Sequence, residues 1–239
     1  MKKPGAGAPS EYPMRINKYL AHKGIATRRA ADELIARKKV IINGRTAVLG
    51  DKVTETDNVE LAGSLPESRN LYYAYHKPVG VITHSPQLGE KDVKGSVPMD
   101  VFPIGRLDKD SSGLLILTND GRVTDRLLHP KYDHDKEYRV HVMDNLREGF
   151  KKAMEGGVNI EGYMTEPCTV RKTGPKSFNI TLAEGKKHQI RRMVVALHNQ
   201  VESLERVRIL NVRLDDLKPG AWRPIQGEEL ALFLKQLGL

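Results

Sequence analysis

The stretch Ser112-Gly113-Leu114-Leu115-Ile116-Leu117-Thr118 constrains this chain more than any other. Its unbroken Leu/Ile run predicts a buried strand. A polar loop, residues 105–111, precedes it, and another apolar segment around Phe102 and Ile104 precedes the loop. A loop held at both ends by core is a place where a carboxylate can be fixed in position. On the residues alone, Asp108 in that loop reads first as a turn or capping residue.

Strands alternate with helices on either side of this run. Leu71 to Tyr75, Val79 to Thr83, Leu114 to Thr118, Tyr138 to Val142 and Phe178 to Leu182 have the composition of strands. Val123 to Leu128, Leu146 to Met154, Gln189 to Leu197 and Glu228 to Leu237 carry helical spacing. The expectation is an α+β fold with a sizeable mixed or antiparallel sheet. Hydrophobic residues at 39% and charged residues at 29% fit a globular chain rather than a disordered one.

The first quarter of the sequence has a different character. Residues 1–13 hold three prolines and two glycines and predict a flexible leader. Ile16, Tyr19 and Leu20 then share a helical face, Gly24 marks a stop, and Thr27 offers an N-cap for a helix from Arg28 to Arg37. Residues 39–45 read as a strand entering an Asn43-Gly44 hairpin turn, with further short strands around Val48 and from Val53 to Val59. Residues 62–69 have linker composition, which predicts a small domain at 14–61 and a larger one at 70–239.

Charge concentrates in the small domain. Residues 15–45 contain nine Lys/Arg against two acidic residues, Asp32 and Glu33, a net of +7 (9 − 2) beside +9 for the whole chain. Cations on one compact module suit a phosphate backbone, whose counterions they displace. Arg15, Lys18, Arg28 and Arg29 are the candidate contacts there.

Other classes are excluded by what the composition lacks. Cys168 is the only cysteine, so neither a disulfide framework nor a thiolate metal site is expected. The eight histidines are scattered away from metal-ligand spacings, and no metal is expected. No apolar run approaches the roughly 18 residues of a membrane span, and the start has no signal-peptide core. A cytoplasmic location follows as the expectation.

Two resemblances sharpen this reading. Arg15-Ile16-Asn17-Lys18-Tyr19-Leu20, Thr27 through Ile35, and Val40-Ile41-Ile42-Asn43-Gly44 are similar to an S4 domain, an RNA-binding module. Gly105-Arg106-Leu107-Asp108, with Ser112-Gly113-Leu114-Leu115 and Thr118-Asn119-Asp120-Gly121, resembles the signature of RsuA-family pseudouridine synthases. Ser111 stands where the commoner pattern has Thr; both carry a hydroxyl. Residues 135–140 resemble the motif that supplies an active-site tyrosine, and residues 185–193 the motif whose arginine pairs with the aspartate. Residues 75–81, 204–209 and 219–223 extend the likeness to nearly the whole chain.

The resemblance implies isomerisation of uridine in RNA by a monomer without a cofactor. It implies Asp108 as the catalytic carboxylate, Tyr138 as the active-site aromatic and Arg191 as the ionic partner of Asp108. Lys77, Arg106 and Lys136 join the candidate RNA contacts on a basic rim. Residues 107–111 and 133–138 resemble the RluF-type branch, which acts on 23S ribosomal RNA; tRNA and small-subunit RNA stay open as targets. The rival is a non-catalytic RNA-binding ribosome-assembly factor of the same fold. Such a factor is expected to have lost Asp108, Tyr138 or Arg191, and all three are present.

Overall fold

The computed structural model describes residues 12–239 except 24, 27, 63–69, 84–90, 98–100, 130 and 131. The chain divides into two compact units, Met1–Asn70 with Asn119–Arg122, and Leu71–Thr118 with Val123–Leu239.

In the first unit β1 (Met14–Arg15) leads into α1 (Ile16–His22) and α2 (Arg28–Ala36). Short strands follow: β2 (Val40–Ile42), β3 (Arg45–Thr46), β4 (Lys52–Val53) and β5 (Val59–Leu61). Helical spacing puts Ile16 and Leu20 on one face of α1, and Ala31 and Ile35 on one face of α2; all four bury against Val40, Ile42 and Val53. The β2–β3 hairpin turns through Asn43 and Gly44, at φ 49° and 79°. Two left-handed residues in succession are what this turn requires, and Asn-Gly tolerates them. The stop expected at Gly24, the cap expected at Thr27, most of the leader and all of the linker but Ala62 lie outside the described residues.

The second unit is built on a nine-stranded mixed sheet. In chain order its main elements are β6 (Tyr72–Lys77), β7 (Phe102–Ile104), β8 (Ser112–Thr118), α3 (Gly121–Leu128), β9 (Lys136–Val142) and α4 (Phe150–Glu155). After them come the hairpin strands β10 (Asn159–Ile160) and β11 (Tyr163–Met164), then β12 (Thr169–Gly174), β13 (Ser177–Leu182), α5 (Gln189–Ala196) and β14 (Val201–Ile209). The unit closes with β15 (Val212–Arg213), β16 (Trp222–Pro224) and α6 (Gly227–Leu237). The sheet order is β12-β13-β9-β14-β8-β6-β16, with β7 on β8 and β15 on β14. Every pairing in the sheet is antiparallel except β14 with β8.

The apolar run of β8 has a simple cause. Leu114 and Ile116 enter a core with Val123, Leu127 and Phe233, while Leu115 and Leu117 enter another with Tyr75, Val93 and Val101. A strand covered on both faces has no use for alternation, and each such side chain contributes about 1.5–3 kcal/mol by leaving water. A separate core lies between the β9, β12, β13 and β14 half of the sheet and α4 and α5.

Two expectations need correction, and two strands were not expected. Val79 to Thr83 is not a strand: Val79 and Gly80 form a turn, Gly80 sits at φ 85°, and only Ile82 makes an isolated bridge, to Asp92. Pro78 offers no backbone N–H to a ladder, so the chain leaves the sheet after Lys77. The helix expected from Leu146 begins only at Phe150, because Gly149 before it is left-handed at φ 78°. The edge strand β12 and the central strand β14 do not stand out as strands in the sequence; charged side chains on their exposed positions dilute the apolar signal.

Candidate active site

The loop that carries Asp108 sits where β8 changes neighbours. The far half of β8 pairs with β7, Ile104 opposite Ile116, whereas its first residues pair with β14, Ser112 opposite Glu205. The loop from Gly105 to Ser111 therefore has to leave the sheet at the point where β14 comes in. Gly113 permits that approach: it lies at φ 111°, and a Cβ there would stand 2.3 Å from the Arg206 carbonyl oxygen. Only glycine fits so close a backbone contact. Further bonds fix the loop. Gly80 N donates to Lys109 O at 2.8 Å, the Thr83 hydroxyl to Leu107 O at 2.9 Å, and Ser111 N closes a turn on Asp108 O at 3.1 Å. The turn at Val79 and Gly80 is thus a buttress for the loop.

Asp108 and Tyr138 open into one cleft of about 550 Å³. Leu182, Ile190 and Leu204 supply apolar wall, and Arg106, Glu184 and Lys186 polar groups. Tyr138 is half-buried on β9, with Val140 and Val142 beyond it in the core. Arg106 is exposed at the cleft.

Arg191 departs from its expected place. Its Nη2 donates to the carbonyl of Asp110 at 3.0 Å and to the Ser111 hydroxyl at 3.3 Å. Among the described residues the basic side chain within ion-pair distance of the Asp108 carboxylate is His188, Nε2 to Oδ1 at 3.4 Å. Arg191 leaves the first turn of α5 toward the far end of the loop, where a carbonyl rather than the carboxylate meets it. It grips the loop that carries Asp108, and the hydroxyl at position 111 is part of that grip. Sequence reasoning misses His188: it lies inside the arginine motif, but nothing in the motif tells which side chain faces the carboxylate.

Lys77 and Lys136 are also corrected. Lys77 is fully buried, its ammonium donating to Pro78 O at 2.9 Å and Val81 O at 2.8 Å. Burial, partly offset by the charges of Asp108 and Asp110, pushes its pKa down to about 8. Lys136, half-buried, donates to His134 O and Ala183 O; burial and then the nearby Arg206 push it down to about 8. Both amines pin loops around the cleft instead of lining a basic rim. Arg206, itself buried, does likewise, with Nε on Leu114 O at 2.8 Å and Nη1 on Arg106 O at 3.4 Å.

In the first unit Arg15, Arg28 and Arg29 are exposed and Lys18 is half-buried. Among the described residues no group of three His, Cys, Asp or Glu side chains is arranged to hold a metal ion, and no helix is long and apolar enough to cross a membrane.

Comparison with known proteins agrees with this architecture. Residues 71–196 match the RNA pseudouridylate synthase family and residues 14–59 the S4 domain. The dual-specificity RNA pseudouridine synthase RluF of Escherichia coli (strain K12) is 42% identical over 93% of this chain and 79% of its own. Ribosomal large subunit pseudouridine synthase B of Bacillus subtilis (strain 168) is 36% identical over 90% and 93%. A crystal structure of a pseudouridylate synthase superposes with a TM-score of 0.68 at 28% identity, covering 94% of this chain and 99% of that one. This chain belongs to the RNA pseudouridylate synthase family, as an S4-containing RNA pseudouridine synthase.

Proposed function

We propose that the chain acts as a cytoplasmic monomer converting a specific uridine of 23S ribosomal RNA to pseudouridine, with Asp108 as the catalytic carboxylate. The observation that carries this is the shared cleft of Asp108 and Tyr138, sized for a nucleotide and floored by apolar side chains. A uridine inside a helix cannot reach such a cleft, so the base enters flipped or from a loop. The carboxylate then attacks the sugar or stabilises its cationic form while the N1–C1′ bond breaks. The base turns, C5 bonds to C1′, and the proton lost from C5 is balanced by one gained at the freed N1. No electron or group is exchanged with an outside reagent, so the reading needs no cofactor. The Tyr138 ring stacks on the turning base, an interaction worth about 1–3 kcal/mol on such platforms. Arg106 meets a flanking phosphate at the mouth, and Arg15, Lys18, Arg28 and Arg29 grip the RNA from the S4 domain.

Large-subunit RNA is favoured by the name and 36% identity of the Bacillus subtilis relative. A second target class, tRNA or small-subunit RNA, is kept because the Escherichia coli relative is described as dual-specificity. Mapping pseudouridine in total RNA from cells lacking this protein, then restoring wild type or Asp108→Asn, separates these readings. The expected result is a 23S position that loses its pseudouridine and regains it with wild type alone.

A further inference from the structure

We infer that His188 is a positioning residue for Asp108. Its Nε2 faces Oδ1 of the carboxylate at 3.4 Å and is placed to donate to it once substrate closes the cleft, leaving Oδ2 to face the substrate sugar. The inference rests on reading Asp108 as the catalytic carboxylate.

The first observation is contact. His188 Nε2 lies 3.4 Å from Asp108 Oδ1, and both side chains line the cleft. The second is that the cation expected there is engaged elsewhere: Arg191 holds Asp110 O and Ser111 Oγ. The third is conformation. His188 stands at the N-cap of α5 with φ 52° and ψ 28°, a left-handed backbone that a histidine adopts at a cost. Such conformations persist where the surroundings over-determine them, and here the surroundings are explicit. Gln189 N donates to Lys186 O at 3.1 Å, Lys186 N to the Gln189 side-chain oxygen at 2.9 Å, and the Gln189 amide nitrogen to Glu184 at 2.5 Å. Tyr163 and the backbone of Glu166 hold the same Glu184 carboxylate. The loop is therefore tied from several sides in the one shape that turns His188 toward Asp108.

The side chains of His188 and Asp108 are 47% and 39% exposed. A pair so open to water contributes little before substrate arrives. RNA closing over the cleft displaces that water, and a 3.4 Å contact in a free enzyme commonly tightens in the substrate complex. The effect thus falls on the chemical step rather than on binding or folding.

The test compares His188→Leu with His188→Gln in the full-length protein. Both side chains are unbranched at Cβ, so both bear the same left-handed backbone. Gln alone restores an N–H donor near the position of Nε2. The probe is ribosomal RNA from cells lacking the protein, with pseudouridine counted under single turnover, dissociation constants measured on the same RNA, and thermal melting as the folding control. His188→Leu should slow the chemical step by roughly ten- to a hundred-fold, the worth of a hydrogen bond to a charged group. His188→Gln should recover to within about three-fold of wild type, and neither should move the dissociation constant by more than about three-fold. An unimpaired His188→Leu, equal losses in both variants, or a loss confined to RNA affinity would each overturn the inference. Asp108→Asn is run in parallel. If it turns over, the reading of Asp108 itself fails; if it is inert while His188→Leu is fast, only the role of His188 falls.

Discussion

The two units use the same cationic residues for opposite purposes. In the S4 unit Arg15, Arg28, Arg29, Arg37, Lys38 and Lys39 are all exposed. Arg37, just past α2, pairs with Glu33 across 4.0 Å between side chains more than two-thirds exposed, a geometry worth little. In the catalytic unit Lys77, Lys136 and Arg206 turn inward and bond backbone carbonyls. Charge left in water attracts a polyanion at long range, and charge taken out of water fixes geometry. A count of basic residues therefore follows the charge open to a polyanion in the first unit and overestimates it in the second.

The largest expected effect tests the catalytic side of this contrast. Asp108→Asn keeps the volume and removes the anion, so pseudouridine formation should cease while RNA affinity stays within a few-fold of wild type. Product assays on protein verified by mass as free of deamidation decide it; turnover by such a preparation breaks the mechanism.

Next comes Arg191. Both bonds come from Nη2 at the tip of the guanidinium, which the shorter lysine does not reach, and Arg191→Lys should slow single turnover by about ten-fold or more. Arg192 instead meets Ile160 O and Glu161 beside the β10–β11 hairpin, so Arg192→Lys should be milder. Equal, small effects at both positions would remove Arg191 from the loop-fixing role. A large effect at Arg192 alone would move the critical arginine one residue along the helix.

The S4 side gives a smaller effect of a different kind. Arg28→Ala with Arg29→Ala should weaken RNA binding several-fold. It should also flatten the salt dependence by about 0.7–0.9 in log–log slope for each phosphate left without its cation. Saturating single-turnover rates should stay unchanged. An unaltered slope across a salt titration would show that exposure in this unit is mere solubility.

The smallest effect concerns Lys77 and the sign of its pH dependence. Its pKa of about 8 lies below the ordinary lysine value, so the unfolded chain binds more protons through that interval. Folding then gains stability as pH rises; the cost of the buried ammonium is full below about pH 8 and fades toward about pH 10.5. Lys77→Met cannot titrate. Wild type should therefore gain about 1–3 kcal/mol on the variant between about pH 7 and pH 10, read from denaturant melts. A difference independent of pH would show that the Lys77 ammonium keeps its ordinary pKa in the folded protein.

Local signals in the sequence reach far into the fold. The Asn43-Gly44 turn, the paired helices of the S4 unit, the doubly buried β8 and the amphipathic α5 and α6 all follow from spacing and backbone preference, which act within a few residues. The same short range explains why the loop with Asp108 stands out, polar between two apolar segments. What the sequence alone does not decide are contacts across long separations. Val79 and Gly80 form a buttress because Lys109 lies beside them, and Gly113 must be glycine because Arg206 crosses it. Lys77 and Lys136 read as surface cations until the sheet closes around their stems. Arg191 and His188 sit three residues apart in one motif, and only the tied loop ahead of α5 determines that the histidine meets the carboxylate while the arginine meets the loop. Composition records that a charge exists; whether water or protein surrounds it is settled by packing, and on that difference the cleft depends.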